Sequence, residues 1–410
     1  MKPPGMIYQM YQAQADMLQP VRALARAGTA FARMTDLGSQ TPAFMRQFAA
    51  GCGILEDAGM THARPDYGID TVRVGDADIA VTEEIALDTP FASLLHFRKD
   101  IPEAQPRVLL VAPMSGHFAT LLRGTVRTLL RDHDVYITDW KNARDVPLSD
   151  GTFDLDSFVE HLILFMETIG PGGHLIAVCQ PTVAALAAVA IMAEDNNRCQ
   201  PRSMTLMAGP LDTRINPTKV NELAKSKPIE WFAENLIGTV PWRYKGGGRR
   251  VYPGFMQLTA FMSMNMDRHI NAHVNQFHAL AQRDHVKATA HRTFYQEYGA
   301  VMDLASEFFL ETVQRIFQEH DLPMGNLTWR DRKVRPELIR RTALMTVEGE
   351  RDDICAVGQT VVALDMCSGI RISMKRHHLQ TGVGHYGVFS GRRWEQEVYP
   401  RVRAMIQALS

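Results

Sequence analysis

From Thr71 to Thr82 the chain alternates apolar and polar residues, TVRVGDADIAVT, and this predicts a β-hairpin turning near Gly75–Asp76. A different rhythm then sets in. RVLLVAP (107–113), DVYITDW (134–140), HLIAV (174–178) and SMTLMAGP (203–210) are short apolar runs that read as buried strands. Helical spacing fills the gaps. Residues 154–169 place Phe158, Leu162, Leu164, Phe165 and Ile169 mostly inward, and 181–193 is rich in alanine and valine. Apolar strands alternating with helices predict an α/β architecture, a mostly parallel sheet covered on both faces.

The rhythm stops after Leu211–Asp212. Residues 213–335 are rich in helix formers, aromatics and methionine, with no clear core strand. It resumes with TALMTVEGE (342–350), a helix near 357–366, and SMKRHHL (373–379). The pattern divides the chain into an N-terminal helical arm (1–60), a first core part (61–212), a helical cap insertion (213–335) and a second core part (336–410). Such an insertion is expected over the carboxyl ends of the strands, where open α/β sheets bind ligands. In the arm, Ile7, Met10, Tyr11, Met17, Leu18, Val21, Leu24 and Phe31 follow helical spacing, with a gap at Gln14, and a second helix follows Thr41–Pro42. Packing of the arm on the core is the plainer expectation. An amphipathic element that touches a lipid-like surface or a partner is the sharper one.

Composition changes this picture little. Lysine plus arginine (44) nearly balance aspartate plus glutamate (45), so nothing argues for nucleic-acid binding. The five cysteines are widely spaced and odd in number, with no spacing of a zinc site, which argues against a disulfide framework or a structural metal. The N-terminus lacks the apolar core of a signal peptide, and free thiols fit a reducing compartment, so an intracellular protein is expected. Residues 175–193 are nearly long and apolar enough to span a membrane, but Gln180, Pro181 and Thr182 interrupt them. GGGRR (246–250) reads as a flexible loop and lacks the P-loop pattern.

Candidate chemistry begins at HLIAVCQPTVAALAAV. A strand runs into Cys179 and a helix starts at once, the layout of a nucleophile elbow. The flanking positions of the usual G-x-S-x-G are Ala177 and Pro181. Alanine is small, and proline suits the first turn of a helix. A cysteine here gains from the helix N-terminus, which lowers its pKa. Alone, the segment fits an inert buried cysteine equally well. VEGERDDICAVGQT then places Asp352 three residues after Gly349, where α/β-hydrolases carry their acid, with Asp353 read as a helix cap. LQTGVGHYGVF sets His385 in a glycine-rich loop after a strand, while His377 and His378 lie within that strand. The order nucleophile, acid, histidine is that of the α/β-hydrolase fold. In these roles His385 handles the Cys179 proton and Asp352 fixes the imidazole. Oxyanion donors are expected at the backbone N–H of Gln180 and at Met114 or Ser115 in PMSGH. His117 could contact substrate or cap its loop. Met262 and Met264, in a methionine-rich stretch of the cap, could line a polymer groove or fill the cap's own core.

Six segments together resemble the intracellular polyhydroxybutyrate depolymerases, a branch of the α/β-hydrolases. They are IYQMYQAQADMLQPVRALA, VLLVAPMSGHFATLLRGTV, DVYITDWKNARDVPL, AVCQPTVAALAAVA, VEGERDDICAVGQT and GVGHYGVFSGRRW. The resemblance implies hydrolysis of stored poly(3-hydroxybutyrate) to oligomers or monomer at the surface of cytoplasmic granules. It implies a Cys179–Asp352–His385 triad and no bound cofactor, with coenzyme A as a variant acyl acceptor. The partner implied is the polymer or granule itself; self-association into a homo-oligomer is left open. The polyhydroxyalkanoate synthases, similar around DVYITDW, resemble G-x-C-x-G at the elbow, and Ala177 and Pro181 depart from that. A non-catalytic granule-binding protein is the third alternative.

Overall fold

The computed structural model describes residues 5–36, 38–57, 59–264 and 266–410. Its centre is formed by strands too apolar to face water on either side. β4 (Arg107–Val111), β6 (His174–Val178), β7 (Ser203–Met207) and β13 (Ala343–Gly349) are buried along almost their whole length. They pair in parallel, with β5 (Asp134–Trp140) beside β4 and β14 (Lys375–Gln380) beside β13. The hairpin expected around Gly75 is present as β1 (Thr71–Val74) and β2 (Ala77–Asp88), on the edge.

Between hairpin and parallel strands lies β3 (Ala92–Lys99), which sequence patterning did not single out. Ala92 to Leu95 are all buried, so the period-two signal is lost. β3 pairs antiparallel with both β2 and β5. The sheet order is β1-β2-β3-β5-β4-β6-β7-β13-β14. Without the edge strand β1, this is the strand order of the α/β-hydrolase fold.

Helices cover the sheet: α3 (Arg123–Leu129), α4 (Leu155–Ile169) and α5 (Thr182–Glu194) among them. α5 follows β6 directly and is buried from Thr182 to Met192 on every side, which suits a small-residue helix enclosed in the core. No described helix is long and apolar enough to cross a membrane. In α4, Leu164 faces outward rather than inward.

The chain between β7 and β13 forms the cap. It contains α6 (Lys219–Lys225), α7 (Ile229–Asn235), α8 (Gly254–Met264), α9 (Met266–Gln282), α10 (His285–Tyr298) and α11 (Ser306–Glu311). A small antiparallel sheet joins β8 (Gly238–Thr239), β9 (Arg250–Tyr252) and β10 (Leu304–Ala305), and β11 (Thr328–Trp329) pairs with β12 (Arg332–Lys333). The segment 246–250 is not a loose loop. Gly246 donates to the Arg144 carbonyl, and the buried Arg249 guanidinium donates to the carbonyls of Val146, Pro147 and Gly151.

The N-terminal arm is α1 (Gly5–Met34) followed by α2 (Ala43–Asp57). Its apolar side chains are not mainly buried, contrary to the packed-arm expectation. Tyr8 and Ala25 are buried, but Met10, Met17, Leu24 and Phe31 are exposed. The reason is the close approach of α1 to α2 at Gly28, where a Cβ would come within 2.6 Å of Cys52 Sγ. The large side chains are left on the outer face. The arm is fastened by Tyr8, whose hydroxyl donates to buried Asp303 at 2.5 Å. The same carboxylate accepts from Gly254 N–H, and the Asp303 N–H donates to Asn142 Oδ1, so arm, cap and core meet at one residue.

Candidate active site

β6 ends at Val178, and the next residue turns sharply. Cys179 has φ +66°, left-handed for a residue with a side chain, and its N–H donates to the Met207 carbonyl at 2.8 Å. Such strain in a non-glycine residue is characteristic of an elbow that lifts a nucleophile off the sheet. α5 begins at once, its first turn tied back by Thr182 N–H to the Cys179 carbonyl. The tight passage that flanking glycines usually provide comes from elsewhere. A Cβ on Gly209, just past β7, would sit 1.9 Å from Thr182 Oγ1. The small residue needed by this elbow is thus 30 positions downstream of the cysteine.

Asp352 and His385 are brought together by the two loops that follow β13 and β14. His385 Nδ1 donates to Asp352 Oδ2 at 2.7 Å, and both side chains are buried. The other carboxylate oxygen accepts N–H bonds from Ile354 (2.9 Å) and Cys355 (2.8 Å). Asp353 points to solvent. Burial opposes a charge on His385, but Cys179 and Asp352 outweigh it and hold the imidazole pKa well above its ordinary range. Cys179 lies close enough to the imidazole to act on its basicity, and Asp352 is hydrogen-bonded to it. Tyr386 and Phe389 stand edge-on to the ring and form an aromatic wall.

Glu348, not singled out by sequence patterning, shapes the acid loop from below. It is buried at the end of β13 and accepts N–H bonds from Gly358, Thr360 and Val361. Thr360 Oγ1 in turn bonds both the N–H and the carbonyl of Gly209. The acid loop and the glycine behind the elbow are therefore one hydrogen-bonded unit. A glutamate in an otherwise apolar strand, TALMTVEGE, was the available signal.

Of the expected oxyanion donors, Gln180 follows the elbow and is buried. Its side-chain Oε1 accepts from Met114 N–H at 3.4 Å, joining the elbow to the PMSGH loop, and its Nε2 has no partner among the described residues. Ser115 is half-buried beside it. His117 is placed differently from a substrate contact. Its ring is buried and stacked on Tyr298 of α10, with Nε2 near the Tyr298 carbonyl at 3.1 Å, and burial pushes its pKa down to about 4. It fastens the cap to the loop. Met262 packs on the cap core with Leu258 and Tyr298 and lines a cavity that includes none of Cys179, Asp352 and His385. The side chain of Met264 lies outside the described residues. His377 bonds Thr346 within the sheet, and all five cysteines are free thiols.

Residues 208–410 match the family model described as PHB de-polymerase C-terminus. This half of the chain belongs to the PHB depolymerase family. The matched depolymerase segment carries Asp352 and His385, while Cys179 precedes it. None of the curated proteins matches the chain in sequence. Among solved structures, a 2-hydroxy-6-oxo-6-phenylhexa-2,4-dienoate hydrolase from Rhodococcus sp. strain RHA1 is 12% identical, covering 80% of this chain and 99% of its own, with a TM-score of 0.43. Naproxen esterase from Bacillus subtilis is 13% identical, covering 90% and 99%, with a TM-score of 0.41. Likenesses at this level say nothing of substrate. The PHB depolymerase match and the α/β-hydrolase frame together make the protein an ester hydrolase.

Proposed function

We propose that the protein cleaves the ester bonds of a stored 3-hydroxyalkanoate polyester, poly(3-hydroxybutyrate) in the first instance, through a cysteine acyl-enzyme. The observation that carries this is Cys179 at φ +66°, with His385 hydrogen-bonded to Asp352 and made more basic by Cys179 and Asp352.

In this reading His385, made more basic by its surroundings, takes the Cys179 proton. The Cys179 thiolate attacks an ester carbonyl carbon, and the carbonyl becomes an oxyanion. Donors for it are Gln180 N–H and an N–H of the PMSGH loop. Met114 N–H is engaged by Gln180 Oε1 in the resting protein, so its use requires that side chain to move; Ser115 N–H is the alternative. Collapse breaks the C–O bond, and His385 gives its proton to the departing alkoxide, releasing one chain end as an alcohol. His385, now neutral, takes a proton from water as the water attacks the thioester. Collapse of the second tetrahedral species expels the thiolate and frees the other chain end as a carboxylic acid. Asp352 keeps Nδ1 of the ring protonated throughout. No cofactor is needed; coenzyme A thiol in place of water would give a hydroxyacyl-coenzyme A.

Action at a granule surface is supported by the exposed apolar side chains of α1, chiefly Met17, Leu24 and Phe31. The test is incubation of the protein and its Cys179→Ala variant with amorphous poly(3-hydroxybutyrate) granules, with and without coenzyme A, followed by product identification. Soluble 3-hydroxybutyrate products from the parent protein and none from the variant are expected. Undiminished activity in the variant, or no product from the parent, contradicts the reading; polymer growth from a hydroxyacyl-coenzyme A would assign a synthase instead.

A further inference from the structure

Between the N-terminal arm and the cap lies a cavity of about 430 Å³, the size of a small-molecule site. Leu18, Ile54, Leu258 and Met262 give it apolar walls. Polar groups also line it, and three of them bear on a ligand. Gln276 is only 3% exposed. Its Nε2 donates to the Ala288 carbonyl at 3.2 Å, which fixes the amide's orientation, and its Oε1 has no donor among the described residues. His291 Nε2 is likewise buried without a partner among the described residues. Arg22 lies against Gly59, where a Cβ would come within 2.3 Å of the guanidinium. No carboxylate among the described residues pairs with Arg22, since Asp57, which also lines the cavity, is bound to Arg292 at 2.7 Å.

A buried acceptor without a donor and a cation without an anion, on either side of apolar walls, specify a ligand. We infer that this cavity binds an aliphatic hydroxycarboxylate, its carboxylate on Arg22, its hydroxyl donating to Gln276 Oε1 and its carbon chain against Leu18, Ile54, Leu258 and Met262. A short 3-hydroxyalkanoate oligomer, the product of the proposed reaction, has these three features, as does a hydroxylated fatty acid. Identification with the product rests on the proposed function; the chemistry of the cavity does not. The cavity also has a physical route to the reaction centre. Tyr298 lines it and stacks on His117, which sits in the loop carrying Met114 N–H.

The experiment is calorimetric titration of the full chain carrying Cys179→Ala, so that no probe is turned over. The probes are 3-hydroxybutyrate trimer, 3-hydroxydecanoate, decanoate and methyl 3-hydroxydecanoate. At least one of the two hydroxycarboxylates binds with one-to-one stoichiometry. Decanoate, lacking the hydroxyl, and the methyl ester, lacking the charge, each bind about tenfold more weakly or worse. Arg22→Gln, at a half-exposed position, weakens the hydroxycarboxylate about tenfold, and Gln276→Leu abolishes the preference over decanoate. Preference for the trimer identifies the product as ligand; preference for 3-hydroxydecanoate assigns the hydroxylated fatty acid. No binding of either hydroxycarboxylate, or binding unchanged in both Arg22→Gln and Gln276→Leu, overturns the inference. A chain that degrades no polyester yet shows this binding pattern leaves the site standing and removes only the product assignment.

Discussion

At the scale of single residues, the elbow depends on an atom pair far apart in sequence. Thr182 Oγ1 occupies the space where Gly209 would carry a Cβ, and that hydroxyl has no hydrogen-bond partner among the described residues. Gly209→Ala is therefore predicted to destabilise the fold by roughly 1–3 kcal/mol, the usual cost of overpacking, and to lower activity. Thr182→Ala should relieve the overlap, so the double variant is predicted to be more stable than Gly209→Ala alone in urea unfolding. A double variant no better than the single one would show that the contact does not govern the elbow. A second prediction concerns the acid. Asp352→Asn leaves the hydrogen-bonded loop sterically intact but favours the wrong imidazole tautomer, so turnover should fall by about 10⁴ with KM little changed. A fall of less than about tenfold would assign the orienting role elsewhere. The positions of Cys179, Asp352 and His385 could be read from the sequence because each sits at a strand end with a local signature. Gly209 could not, because its value lies in what a distant helix places against it, and Glu348 offered only a charge within an apolar strand, with no sign of the loop it binds.

Among the elements, the arm shows how far periodicity reaches. Helical spacing identified α1, but it does not say which side faces the protein. The packing of Gly28 against α2 and the anchoring of Tyr8 on Asp303 decide that, and they leave Met17 77% and Leu24 75% exposed. In the proposed function this face meets the polyester. Met17→Ser with Leu24→Ser is predicted to reduce granule binding severalfold in a pelleting assay while leaving hydrolysis of soluble 3-hydroxybutyrate oligomers unchanged. Equal loss on both substrates would point to damage to the fold instead. β3 escaped the same kind of reading for the opposite reason. A strand whose first four residues are all buried has no alternation to detect.

For the whole molecule, four histidines are buried in neutral form. Burial pushes His62 down to about 3 and His117, His133 and His174 to about 4, from an ordinary 6.5. The unfolded chain takes up protons below pH 6.5 that the folded chain refuses, so stability is full above that pH and is lost as pH falls toward 4. Each group contributes a slope of about 1.4 kcal/mol per pH unit in that window. Buried Asp139, pushed up to about 6, acts in the opposite sense over part of that window, so Tm should decline between pH 6.5 and 4 less steeply than four histidines alone would give; a rise in Tm over that range would contradict the neutral burial of these side chains. The strand–helix rhythm, its interruption and its resumption made the α/β frame and the long insertion legible in advance. The internal strands of the cap were not, because each is only two or three residues long; the cavity under the arm was not, because it joins segments more than two hundred positions apart.

The central claim is a covalent intermediate on one cysteine, and it is most directly tested by trapping it. The protein is mixed with 3-hydroxybutyrate oligomer, quenched in acid within a turnover, digested and analysed by mass spectrometry. The account predicts a 3-hydroxyacyl group on the peptide containing Cys179 and on no other. Turnover with that peptide unmodified, or the acyl group on Ser115 or another residue, would contradict it.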